Sequence, residues 1–254
     1  MSSVVTDEQR RQYGDEGYIV LPRVLSDGDL ELLRSGAAHA IAKADAEMDA
    51  RGTDVWNINA RGRRYFSNNM ARELPALRRF LRSELMADIC RATLGDTAYL
   101  FNEQYVIKCA DPRTAFAWHQ DSGYVHEHHE PYLTCWIALD DVDETNGAVY
   151  LLPFSQSGIR SYVRHIRDPE VGDLVGYDGP ASGVVVEGRA GTVVCFSSVL
   201  FHRSGPNLTD RMRRVYIAQY SPQVILDQSG SRPWAGDEAF LVDGCIVGER
   251  QPEH

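Results

Sequence analysis

A chain of 254 residues, 43% hydrophobic and 24% charged, has the composition of an ordinary globular protein and shows none of the bias of a fibre, a disordered tail or a membrane span. Its length lies within the range that large β-sandwiches and barrels reach as single domains, so one domain over residues 1–254 is expected. The formal charge of −10 argues against nucleic acid, because a phosphate binder needs a basic face whose counterion release drives affinity.

The five cysteines Cys90, Cys109, Cys135, Cys195 and Cys245 are odd in number, widely spaced and without a CxxC pair. Together with a first segment, MSSVVTDEQRRQ, that has no apolar signal-peptide core, they point to reduced thiols in a cytoplasmic protein.

Residues up to about 95 read as a helical preface. Thr6 caps a short helix expected to end near Gly17. Residues 18–21 form a strand stopped by Pro22, and Ser26 with Asp27 and Asp29 opens a longer helix rich in Leu and Ala. Residues 51–75 mix aromatics, Asn and Arg without a period and read as a long loop or lid. One helix is expected over residues 75–92.

From about 96 to 225 the pattern changes to strands. AYLFNEQYVIK, PYLTCWIALDDV, GAVYLLP, GVVVEGRAGTVVCFSS and RVYIAQYSP are short β-branched or aromatic runs divided by Gly, Pro, Asp and Asn, the grammar of a β-sandwich or barrel. Residues from about 226 to 254 are left as a C-terminal extension.

Within Ala117-Trp118-His119-Gln120-Asp121-Ser122-Gly123, an imidazole and a carboxylate stand two positions apart. On an extended segment both project to one side and can reach one cation. Alone, such a pair is more often structural. A third ligand is available in Phe201-His202-Arg203-Ser204-Gly205, just after an apolar strand. Two histidines and one carboxylate on one face of an octahedron leave three positions open, as in non-haem Fe(II) oxygenases. Eleven residues beyond His202 stands Arg213, after a turn rich in Ser, Gly, Pro, Asn and Asp; the strand RVYIAQY begins immediately beyond it, so Arg213 can return alongside the strand that delivers His202. Its planar fork matches a carboxylate. Arg211 and Arg214 compete for that role; alternation puts Arg211 on the same face and Arg214 on the other.

In order and spacing, WHQDSGY, YLTCWIALDDVDETNGAVYLLP and HRSGPNLTDRMRR, with the opening GYIVLPRVLSDGDLELLR, resemble the phytanoyl-CoA dioxygenase family of Fe(II)/2-oxoglutarate oxygenases over nearly the whole chain. The resemblance implies a double-stranded β-helix (a cupin-like jelly roll) with N-terminal helices packed on one side. It implies His119, Asp121 and His202 as iron ligands and selects Arg213, assisted by Ser204, for the C5 carboxylate of 2-oxoglutarate. Gln104 and Trp136 match positions that touch this cosubstrate. Read from the residues alone, Trp136 is more often core, Gln104 a sheet-edge amide and Ser204 a turn residue.

The implied reaction consumes O2 and 2-oxoglutarate, releases succinate and CO2, and hydroxylates or otherwise oxidises a small molecule, in specialised metabolism. A carboxylate at Asp121 favours hydroxylation over halogenation.

The chain departs from the family at Pro153-Phe154-Ser155-Gln156, where Pro-Gly-Ser-His is common; the change is expected to reshape a loop near the substrate mouth. His126, His128 and His129 read as a solvated loop over the site more readily than as a second metal site. Trp118, Tyr124, Tyr65, Asn68 and Asn69 are candidates for substrate contact.

Overall fold

The computed structural model describes residues 3–169 and 173–248. In chain order it runs α1 (Asp7–Glu16), β1 (Tyr18–Leu21), α2 (Asp27–Arg51), β2 (Val55–Trp56), β3 (Asn59–Ala60), β4 (Arg64–Asn68), α3 (Pro75–Leu81) and α4 (Glu84–Thr93). The strand-rich part follows with β5 (Ala98–Lys108), β6 (Phe116–His119), β7 (Leu133–Ala138), β8 (Val149–Leu152), α5 (Phe154–Ser157), β9 (Ile166–Arg167), β10 (Leu174–Val175) and β11 (Val184–Val186). It closes with β12 (Val193–Ser197), β13 (Phe201–Ser204), β14 (Arg213–Ser221), β15 (Glu238–Val242) and β16 (Cys245–Ile246).

The helix signals act as expected. Thr6 and Gln9 form a reciprocal capping box, and α1 ends where Gly17 turns left-handed at φ 82°, a conformation that suits glycine. The Ser26 side chain accepts from Asp29 N at the start of α2. The buried face of α2 carries Leu33, Gly36, Ala37, Ala40, Ala44 and Met48, and its small residues let the helix lie close on the sheet. A Cβ at Gly36 would stand 2.1 Å from the Tyr105 hydroxyl, which donates to Leu33 O at 3.0 Å.

Two expectations fail. Residues 51–75 are not a plain loop: β2, β3 and β4 extend the main sheet, with β4 paired to β5 from Arg64↔Lys108 to Asn68↔Gln104. The two aromatics of β4 face opposite ways, Tyr65 onto the helices and Phe66 towards the other sheet, but the run is too short and polar for that alternation to read as a strand. The helix over 75–92 is two helices. Arg82 leaves helical geometry and Ser83 caps α4 by accepting from Met86 N.

All pairing is antiparallel. A large sheet runs β1-β12-β7-β14-β5-β4-β3-β2, with β15 also on β5, and faces a smaller sheet β11-β8-β13-β6. Alternation sorts the central strands. Tyr105 and Ile107 of β5, Cys135 and Ile137 of β7, and Tyr216, Ala218 and Tyr220 of β14 pack under the helices. Val106, Trp136 and Val215 point to the facing sheet with Val149, Leu151 and Phe196. Burying each large apolar side chain contributes about 1.5–3 kcal/mol, so the register is strongly specified: a slip of one residue would exchange the two faces. This is a jelly roll with helices on one side. Among the described residues no helix is long and apolar enough to cross a membrane.

Candidate functional site

Between the sheets lies a cavity of about 390 Å³, a size typical of small-molecule sites. His119, Asp121 and His202 line it, and one ligand atom from each lies within 4.8 Å of the others. Their meeting follows from register, since His202 of β13 faces His119 at the end of β6, with ring centroids 4.2 Å apart. Gln120 continues extended and the chain then tightens into a 3-10 turn from Asp121 to Tyr124, leaving Asp121 Oδ1 3.4 Å from His202 Nε2.

Backbone carbonyls fix the imidazoles. His119 Nδ1 lies 2.7 Å from Ala117 O and His202 Nδ1 3.2 Å from Leu200 O. Both Nδ1 atoms act as donors there, which leaves the Nε2 lone pairs for a ligand. On the carboxylate, Oδ2 accepts from Thr134 Oγ1 at 2.5 Å and from Gln219 Nε2 at 3.1 Å, and Asn102 Nδ2 donates to Gln219 Oε1 at 2.7 Å.

Burial, reinforced by His202, pushes His119 down to about 3. Burial would raise Asp121, but His202, His119 and the Thr134 hydroxyl outweigh it and hold the carboxyl down to about 2. At neutral pH the cluster therefore offers an ionised carboxylate and a neutral imidazole at His119, a donor set that fits a divalent transition metal.

At the closed end of the same cavity, Arg213 is 1% exposed and its Nε and Nη1 have no hydrogen-bond partner among the described residues. Its guanidinium lies over Trp136, 5.7 Å from the ring centroid, and burial pushes it down to about 10. Directly opposite in register stands Lys108, also buried, whose Nζ donates to Ser204 Oγ and Gly205 O, each at 2.7 Å. Burial and then Arg213 hold this ammonium well below the usual lysine range. A buried guanidinium with unused donors, next to a buried amine that holds the Ser204 hydroxyl, is suited to a carboxylate.

Ser204, Gln104 and Trp136 also line the cavity. Of the competing arginines, Arg214 pairs with Asp140 through two donors at 3.0 and 2.6 Å and Arg211 is exposed. Tyr124 and Asn68 line the cavity, whereas Tyr65 is buried under the helices, its hydroxyl 3.0 Å from Asp45 Oδ1, and Asn69 lines a separate pocket.

Trp118 faces away from the cavity, covered by Arg203 and Tyr177. The turn with Phe154 and Ser155 packs on the end of α1, through Gly17 and Glu16; none of it lines the cavity, so the expected change at the mouth is not found. His129 bonds to Ser122 and His126 and His128 are exposed. Among the described residues only one group of three metal-ligating side chains converges.

Sequence reading missed Lys108, Thr134, Gln219 and Gln120. Gln120 is 0% exposed and ties the metal-facing segment to Val199 O, Ser161 O and Val163 N, while its own N–H donates to His165 Nε2 at 2.8 Å. The available signal was a polar residue within or at the end of an apolar run: Thr134 and Gln219 interrupt such runs, and Lys108 ends the run Tyr105–Ile107.

A jelly roll with two imidazoles and a carboxylate at one end of its cavity, and an unpaired arginine at the other, has the form of a non-haem iron oxygenase. Residues 13–215 match the phytanoyl-CoA dioxygenase (PhyH) family, and the chain belongs to it. By class it is an enzyme, a 2-oxoglutarate-dependent dioxygenase that uses non-haem iron.

It is similar to a probable alpha-ketoglutarate-dependent hypophosphite dioxygenase of Stutzerimonas stutzeri, 25% identical over 93% of this chain and 86% of that one. It is also similar to an L-proline trans-4-hydroxylase of Streptomyces griseoviridis, 28% identical over 83% and 84%. The fold is shared with the crystal structure of SnoK, a non-heme alpha ketoglutarate dependent carbocyclase from nogalamycin biosynthesis. The TM-score is 0.69 at 20% identity, covering 93% of this chain and 95% of that one.

Proposed function

We propose that His119, Asp121 and His202 hold one Fe(II), that Arg213 with Ser204 receives the C5 carboxylate of 2-oxoglutarate while Lys108 holds the Ser204 hydroxyl, and that this single-domain enzyme hydroxylates a small molecule. Bound iron, chelated by the cosubstrate and open to O2, would supply the oxidation that yields succinate, CO2 and an oxidised substrate carbon.

The chain's own residues set the conditions for that chemistry. Thr134 and Gln219 aim Asp121, and the carbonyls of Ala117 and Leu200 aim the two imidazoles. Arg213 and Ser204 fix the distal end of the cosubstrate, Lys108 holds the Ser204 hydroxyl, Trp136 is a flat wall beneath the guanidinium and Gln104 stands on the adjoining strand. The carboxylate at Asp121 fills the position that a halide would need, which favours hydroxylation. The substrate belongs to specialised metabolism in this reading, and the enzyme to the cytoplasm, which its four buried, unpaired cysteines support.

The observation that carries the reading is the buried guanidinium of Arg213, whose Nε and Nη1 have no partner among the described residues, in the cavity of the His119–Asp121–His202 cluster. Leaving donors buried and unpaired is costly, and a carboxylate ligand relieves that cost. The test is a small-molecule screen for substrate-stimulated succinate formation that requires both Fe(II) and 2-oxoglutarate. Product mass should rise by one oxygen atom. Turnover that persists without 2-oxoglutarate rules the reading out.

A further inference from the structure

The mouth of the cavity is unlike its closed end. Three large side chains stand at its rim and remain exposed: Tyr124 at 46%, Ile58 at 41% and Trp234 at 39%. They come from three separate parts of the chain: the turn after Asp121, the connection between β2 and β3, and the segment between β14 and β15. Behind them Phe101 and Tyr132 pack edge to face at 4.8 Å and form, with Val125 and Ile225, an apolar cluster apart from the main cores. Exposed apolar groups converging on a half-open cavity mark a ligand contact.

Charge is sparse in the lining itself, with Asp173 and Arg167 acting on Tyr124 from outside it. Among the described residues lining the cavity, the ionisable side chains outside the metal cluster are Tyr124, Tyr132, Arg203 and Arg213, of which only the two arginines are charged at neutral pH. Arg213 belongs to the closed end. The Arg203 guanidinium is stacked 3.7 Å over Tyr150 and 5.2 Å from Trp118, neither of which lines the cavity. With Gln104 assigned to the cosubstrate, the polar groups left for a substrate are neutral amides, Asn68 on β4 and Asn102 on β5. A charged solute entering there would lose water without gaining a counter-charge.

We infer, on the basis of the site assignment above, that the substrate is an uncharged molecule with a flat apolar face. Its ring system lies against Trp234, Tyr124 and Ile58, and its hydroxyl or carbonyl groups meet the Asn68 and Asn102 amides. Small charged solutes such as phosphorus oxyanions or free amino acids are excluded. Because the cosubstrate occupies the inner part of the cavity, the substrate enters by one edge and keeps the rest of its surface against the rim.

The test uses the full chain loaded with Fe(II) and 2-oxoglutarate without oxygen, titrated calorimetrically with three matched probes: 2-naphthylmethanol, 2-naphthoate and 2-naphthylmethylammonium. Methylphosphonate and L-proline serve as small charged probes. The neutral probe should bind about tenfold or more tighter than any charged one. Trp234→Ala should weaken the neutral probe by about tenfold while 2-oxoglutarate binds as in the wild type. Equal or tighter binding of a charged probe, no binding of the neutral one, or indifference to Trp234→Ala overturns the substrate class and leaves the site assignment standing. Failure of 2-oxoglutarate itself to bind overturns that assignment, and this inference with it.

Discussion

Thr134→Val keeps the shape of a fully buried side chain and removes one donor from the Asp121 carboxylate. In the native protein Asp121 Oδ2 accepts from Thr134 Oγ1 at 2.5 Å and from Gln219 Nε2 at 3.1 Å, and the same Gln219 nitrogen donates to Thr134 Oγ1 at 3.1 Å. These bonds hold Oδ2 and turn Oδ1 towards His202. Losing a group that orients a ligating carboxylate weakens metal binding by about 10- to 100-fold, or about 1.4–2.8 kcal/mol.

The bonds form a triangle, so Gln219→Leu should cost a similar amount, and the double variant less than the sum of the two. Fe(II) affinity can be read by competition with a coloured chelator, with circular dichroism reporting the fold. A Thr134→Val protein that folds normally and holds Fe(II) as tightly as the wild type refutes the orienting role.

Arg213→Met should weaken 2-oxoglutarate binding severely without abolishing it, leave Fe(II) affinity within about threefold, and raise the melting temperature of the ligand-free protein, because a buried charge with unused donors is removed; differential scanning fluorimetry with and without 2-oxoglutarate separates these effects. His119→Ala and His202→Ala should each abolish stoichiometric iron binding, measured by metal analysis after desalting, and normal turnover in either removes the site.

A fourth prediction concerns acid. Asp111 is held far below the usual carboxylate range by Arg113 first, with Arg63 assisting. A carboxyl depressed on folding contributes stability above its unfolded value of about 3.9, and that contribution is lost as pH falls further. Asp111→Asn should therefore be less stable than wild type at pH 7, with the gap closing below about pH 4. Denaturant unfolding at a series of pH values checks this, and a gap that widens in acid contradicts it.

The parts of the site legible in the sequence were those carried by local spacing. His119 and Asp121 share a side because two positions on an extended segment do, and Arg213 falls on the cavity face because it opens an alternating strand. The orienting groups were hidden because register makes them. Thr134, Gln219 and Asn102 are remote in sequence and become neighbours only when β14 pairs with both β7 and β5.

Lys108 was hidden in the same way. It reads as the polar end of an apolar strand until pairing sets it opposite Arg213. In the preface, the cap signals of Thr6, Ser26 and Gly17 gave the right helix ends, but the Ser83 cap lay inside an apolar period that runs across it. The short strands of residues 51–75 exist because the edge of β5 offers them a partner, which no local propensity encodes.

The most direct measurement of the central assignment is an anaerobic optical titration of 2-oxoglutarate into the Fe(II)-loaded protein. Chelation of iron by a 2-oxo acid should produce a saturable charge-transfer absorption in the visible region, absent in His202→Ala, and requiring far more 2-oxoglutarate in Arg213→Met. An unchanged spectrum at saturating 2-oxoglutarate, with iron demonstrably bound, contradicts it.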